Sequence, residues 1–301
     1  RLEKILTFLE TRELNETTYY PFWFYDATTG KNHHEYSDSA TVSVDGVDTG
    51  RLFVALNNLR VFDSSLAPRI NNIVLNGRSN YAALVPSIKI ESLTSTSIYL
   101  YYFGSGYASF WPDKLSNFSS TILNNIFSSG NVTSYGVSLP KAGLLGDPLF
   151  CSLFELNNND SRLITLARQV YLSHEAYYNA TSAFVAFGEG NSHIGYIYEW
   201  VVTPNGDTWK VMVAGKGEYT SMNPVIYNKI VFSFLSLYNS TFARDMAVYL
   251  EQSLPDPSNG YSDGADYNID ISIRNVIPMV GSNTNGLILA ASLYALHSSS
   301  L

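Results

Sequence analysis

"SAFVAFGEGNSHIGYIYEWVVTPNGDTWKVMVAG", residues 182–215, is the stretch whose reading decides the fold, because it interrupts a chain of mostly helical periodicity. It is dense in β-branched and aromatic residues, and "PNGD" at 204–207 is a turn signal, so it reads as a β-hairpin. Strand alternation puts Tyr196, Tyr198 and Trp200 on one face and Ile197, Glu199 and Val201 on the other. Glu199 therefore falls on the apolar side. It must either find a partner inside, an arginine being one candidate, or point into a cleft. Glu189 stands between Gly188 and Gly190, which would let a substrate approach, and Phe187 would shield it from water. Desolvation raises a carboxyl pKa, as a general acid requires.

Outward from the hairpin, "SIKIESLTSTSIYLYYF" (87–103) reads as a second extended piece, and most of the remainder is helical. "DTGRLFVALNNLRVF" (48–62) carries Leu52, Phe53, Leu56 and Leu59 at helical spacing, with Asp48 as its N-terminal cap. The same type recurs at 64–76, 113–127, 147–156, 160–178, 223–238, 240–254 and 284–297. No linker or strict repeat divides the chain. One mainly α domain over residues 1–301 is expected, with helical hairpins around one core and strands decorating one end. Four long segments fall between the regular pieces: 19–50, 101–113, the opening hairpin and 256–275. All are rich in Tyr, Trp, Gly and Asp. Flat rings with carboxylates and amides suit a pyranose, whose C–H groups stack on aromatic faces while its hydroxyls bond the polar groups. Aromatic loops that plug the ends of a helical bundle are the equally open alternative.

Composition narrows the classes. The 301 residues are 46% hydrophobic and only 15% charged, with a formal net charge of −8. Without a Lys/Arg cluster the chain lacks the footprint of a nucleic-acid binder. No apolar run reaches membrane-spanning length. Cys151 is the single cysteine, in an apolar helical stretch, and reads as a small buried hydrophobe. The histidines lack metal-ligand spacing, so neither a metal nor a cofactor is expected. Six glycosylation sequons occur, at Asn15, Asn117, Asn131, Asn159, Asn179 and Asn239, and they permit an extracellular or cell-surface location.

"FWFYDATTGKN" followed by "VDGVDTGRLFVALNNL", then "FGEGNSHIGYIYEWVVTPNGDTWKV", "NPVIYNKIVFSF" and "NIDISIRNVIPMVGSNTNGLILAASLYAL", resembles a glucoamylase-like (α/α)-toroid domain family of uncharacterised function. Its relatives occur in bacterial and archaeal envelope proteins and beside cyclic β-glucan synthases. The resemblance implies a ring of helical hairpins with a carbohydrate cleft, and glycoside hydrolysis. It also implies that the first hairpin lies before Arg1, so that either the chain is truncated or a second polypeptide closes the ring. Where the family has glutamates, this chain has Tyr102, Ala108 and Ala290, and its C-terminal loop keeps acids as Asp263 and Asp266.

Hydrolysis of a glycoside needs two carboxyl groups about 5–10 Å apart, one protonated and one ionised. Glu189 is the expected acid, with Asp48 or Asp263 activating water. Arg51 and a helix N-terminus would keep Asp48 ionised. Asp45, Arg51, Trp111, Glu199, Trp200 and Tyr261 are the expected substrate contacts. The alternative class is a catalytically inactive surface or envelope-assembly module, which the missing glutamates favour.

Overall fold

The computed structural model describes residues 1–33, 45–156, 160–220, 223–251, 259–266 and 275–298. The chain divides into two compact units, residues 1–95 with 100–122, and residues 96–99 with 123–301.

In the first unit, α1 (Leu2–Thr11), α2 (Gly46–Phe62), α3 (Ala67–Asn71) and α4 (Val85–Ser92) are joined by most of α5 (Ile98–Phe110) and the start of α6 (Phe118–Ser128). Asp45, not Asp48, caps α2: its side chain accepts from the Asp48 N–H at 2.8 Å, and Asp48 sits in the first turn. The core is aromatic. Phe53 meets Tyr81 and Tyr107 edge-on, each with ring centroids 5.0 Å apart, and Phe110 and Trp111 close around it.

"YYFGSGYASF" is helix α5 rather than a loop, and 87–103 is helix α4, a turn and the start of α5 rather than a strand. The glycines that suggested a loop serve helix packing instead. A Cβ at Gly106 would lie 2.1 Å from the Gly50 carbonyl oxygen, so α2 and α5 touch backbone to backbone. Tertiary contact overrides the low intrinsic helix propensity of glycine and of β-branched residues.

The second unit begins with a two-stranded ribbon, β1 (Asn131–Ser134) and β2 (Val137–Pro140). β3 (Leu144–Leu145) leads into α7 (Gly146–Phe154) and α8 (Ser161–Thr181). β4 (Glu189–Ser192), β5 (Gly195–Val202), β6 (Thr208–Val213) and β7 (Tyr219–Thr220) follow, then β8 (Val225–Tyr227), α9 (Asn228–Tyr238) and α10 (Thr241–Glu251). β9 (Gly264–Asp266), β10 (Val276–Ile277) and α11 (Ser282–Ser298) complete the unit.

β5 is the centre of a five-stranded antiparallel sheet, with β3 and β4 along one edge and β6, then β7, beyond the other. β9 lies between β8 and β10 in a three-stranded sheet. α9 packs on α7, α10 and α11. Phe234 of α9 meets Phe150, Tyr171 and His174 edge-on in the core. The hairpin expected at 182–215 is present as β5 and β6, and Cys151 is buried.

The expected (α/α) toroid, with strands as decoration, is overturned. This is a mixed α and β structure with three sheets among the described residues. Among the described residues, β4 to β8 lie between α8 and α9, and β9 and β10 lie between α10 and α11, so these helices are not consecutive hairpin partners. Apolar periodicity correctly marks a helix face as buried, but it does not say whether a helix or a sheet covers that face.

Candidate functional site: a closed acid cluster in the second unit

The strand-to-helix joints of the second unit gather four acids. Asp147 opens α7 directly after β3, Glu189 opens β4, Glu199 lies mid-strand in β5, and Asp263 precedes β9. All four are buried, at 0%, 0%, 0% and 4% exposure respectively. Between them stand Tyr227, at the end of β8, and Lys229, in the first turn of α9 and only 2% exposed.

Each acid is engaged by the protein. Asp147 forms a buried ion pair with the Lys229 ammonium through Oδ1, while its Oδ2 accepts the Glu189 N–H at 2.7 Å. Lys229 also donates to Asn283 Oδ1 at 3.3 Å and lies 5.5 Å from the Tyr227 ring centroid. Burial pushes the Asp147 carboxyl up, against the pull of Lys229 and with a further push from Glu189.

Glu189 Oε1 accepts the Tyr99 hydroxyl at 3.2 Å. Asp263 takes the Asn191 side-chain amide on Oδ2 at 2.7 Å and the Thr284 hydroxyl on Oδ1 at 2.5 Å. The Tyr227 hydroxyl donates to the Asn191 carbonyl at 3.2 Å. Its ionisation is driven well above the ordinary phenol range, first by burial and then by Glu199, Asp147 and Asp263.

Glu199 does lie on the apolar face, between buried Ile197 and Val201. Its partners are main-chain amides rather than an arginine: Val225 N–H at 2.6 Å on Oε1 and Gly188 N–H at 3.3 Å on Oε2. It thus ties β5 to the segment before β4 and to β8. Burial outweighs those two bonds and raises its pKa well above the carboxylate norm.

The glycines flanking Glu189 make room for neighbouring protein groups rather than for a substrate. A Cβ at Gly188 would lie 2.6 Å from Asp147 Oδ2, and one at Gly190 would lie 2.7 Å from the Tyr227 ring. The close approach they permit is by the protein's own groups. Behind this joint His174 is wholly buried, with Nε2 accepting the Phe187 N–H at 3.1 Å and Nδ1 therefore donating to the Val170 carbonyl at 2.7 Å. Burial lowers its pKa to about 4.

The other expected contacts fall in two places. Tyr261 packs edge-on against Phe232 at 4.8 Å, and its main chain is held by Asn285. The half-buried Trp200 ring lies against Gly143, where a Cβ would stand only 3.0 Å away. In the first unit Trp111 belongs to the Phe53 aromatic core. Asp45 is an exposed helix cap, and Asp48 pairs with Arg51 at 3.9 Å. Five of the sequons carry a described asparagine. Asn117, Asn131, Asn179 and Asn239 are exposed, Asn15 is half-buried, and Asn159 lies outside the described residues.

Asp147 and Lys229 were missed from the sequence. Asp147 reads as helix-entry chemistry in "GDPLF", and the available signal for Lys229 was a lone cation inside the apolar run "VIYNKIVFSF". Also missed was an exposed aromatic pair in the first unit. Trp23, 50% exposed, stacks on Phe24, 42% exposed, with ring centroids 5.1 Å apart. The Trp23 indole N–H donates to Asp48 Oδ2 at 3.3 Å.

Residues 129–298, which span β1 to α11 and hold the whole acid cluster, match the family model described as "Protein of unknown function (DUF3131)". The chain belongs to that family. More than half of its length is matched, and Asp147, Glu189, Glu199, Lys229 and Asp263 all fall within the DUF3131 segment. No curated protein and no solved structure matches the chain. Among the described residues of this DUF3131 protein, no group of three or more His, Cys, Asp or Glu side chains could hold a metal ion, and no helix is long and apolar enough to cross a membrane.

Proposed function

We propose that this chain is a glycan-binding module of the cell surface or envelope that performs no glycoside hydrolysis at its acid cluster. One observation carries the reading: Asp147, Glu189, Glu199 and Asp263 are buried and bonded to protein groups. A general acid or a base for water must reach the glycosidic oxygen or the attacking water, within about 2.6–3.2 Å. Here the partners of those carboxyls are a lysine, a tyrosine, an asparagine, a threonine and main-chain amides. The exposed Trp23–Phe24 pair supports the binding half of the reading. It offers a flat apolar face, which suits stacking of a sugar ring.

Hydrolysis is the second reading, and it is favoured by the raised carboxyl pKa values of Asp147 and Glu199, since a general acid must hold its proton near neutrality. A glycan panel separates the two. No turnover is expected from the wild type, together with binding that weakens at least tenfold in Trp23→Ala. Turnover that disappears in Glu189→Gln would overturn the proposal in favour of hydrolysis.

A further inference from the structure

The first unit contains a cleft of about 250 Å³ between the end of α1 and the segment after α3, well away in sequence from the acid cluster. Arg12 and Arg78 line it, with Asn72, Ser79 and Glu10 among its other polar walls. Glu10 does not neutralise the two arginines. Its carboxylate is held bidentately by Arg69, at 2.7 Å to Nε and 2.8 Å to Nη2, and Arg69 also reaches Glu3. Arg69 thus takes up both carboxylates, and among the described residues neither Arg12 nor Arg78, which line the cleft, forms an ion pair with a carboxylate.

Neither cleft arginine is saturated. Arg12 gives one Nη2 bond to the Tyr81 hydroxyl and lies about 6 Å from the ring centroids of Phe8 and Tyr25. Its Nε–H is buried and has no partner among the described residues. Among the described residues Arg78 reaches only the Thr11 and Arg12 carbonyls, at 3.4 and 3.5 Å, which are long bonds to the C-terminal end of α1. A guanidinium presents its donors as a planar fork that matches an oxyanion, and a buried unsatisfied donor is costly unless a partner arrives.

We propose that this cleft is a binding site for a small oxyanion held by Arg12 and Arg78. Its volume lies below the roughly 300–1,000 Å³ usual for drug-sized ligands, so the occupant is a single anionic group or one acidic sugar ring. The proposal is independent of glycan binding at Trp23. A carboxylate on a sugar acid and a phosphoryl or sulfuryl group share this chemistry and differ in geometry and charge.

The test is calorimetric titration of the whole chain with glucuronate, inorganic phosphate and sulfate, with glucose as the neutral probe. At least one oxyanion is expected to bind, at least tenfold more weakly in Arg78→Ala, with affinity falling as salt rises. Arg78 is exposed, so its replacement leaves the fold intact, and Arg78→Gln repeats the measurement with the side chain's reach retained. A preference for glucuronate identifies a sugar acid, and a preference for phosphate or sulfate an inorganic or ester group. Binding unchanged in both Arg78 variants, glucose binding as tight as the best anion, or no binding of any oxyanion would each overturn the site.

Discussion

Asp48 of the first unit and Asp147 of the second lead opposite lives. In the first unit, Asp45 and Asp48 stand at the start of α2 in contact with water, and the Asp48–Arg51 pair spans 3.9 Å with side chains 43% and 24% exposed. In the second, Asp147 and Lys229 meet at 0% and 2% exposure. The Coulomb attraction of a solvated pair is largely cancelled by the dielectric, so its contribution is near zero. A buried pair has lost its hydration, and its worth depends on every partner being in place. The same residue types therefore act as adjustable surface features in one region and as structural ties in the other.

The largest test of this contrast is Lys229→Met. It leaves the Asp147 carboxyl buried without its cation, and a loss of about 3–5 kcal/mol in unfolding free energy is expected by urea titration. Adding Asp147→Asn should recover much of that loss. A loss below about 1 kcal/mol in the single variant would mean that Asp147 is indifferent to its partner.

Acidification gives the next largest effect. The folded chain refuses a proton at His174 until about pH 4, whereas the unfolded chain accepts it near 6.5. Stability is complete above the unfolded value and is lost as pH falls through this window, by roughly 3 kcal/mol in full. His174→Phe should flatten that part of the stability–pH profile. An unchanged slope would remove His174 as its source.

The smallest effects belong to the first unit, and they separate a cap from an ion pair. Asp45→Ala should cost about 1 kcal/mol, since it frees the Asp48 N–H at the helix start. Arg51→Ala should stay within about 0.5 kcal/mol. Melting curves that reversed this order would break the comparison at its weaker end.

Much of the local structure was readable. The period-2 pattern of Tyr196–Val201, ended by Pro204, Asn205 and Gly206, identified β5, its turn and β6, and it put Glu199 on the correct face. The helices at 48–62, 147–156, 160–178 and 284–297 followed from apolar spacing, because burying one face demands that spacing whatever covers the face. The failures share a cause. Gly104 and Gly106 suggested a loop because their role, contact with Phe118 and with Gly50, depends on residues far along the chain. Asp147 looked like an ordinary helix entry because its cation lies 82 positions later, in α9. The site was legible only as a list of acids.

By itself, the chain's order of residues determined which faces are apolar, where turns fall and which acids sit in apolar company. All of these follow from backbone geometry and neighbours a few positions away. Only tertiary structure decided that strands and helices share the second unit, that Glu199 is held by main-chain amides, and that Asp147 closes on Lys229. Those outcomes depend on desolvation and on partners brought together from distant segments, and neither quantity is written in any local pattern.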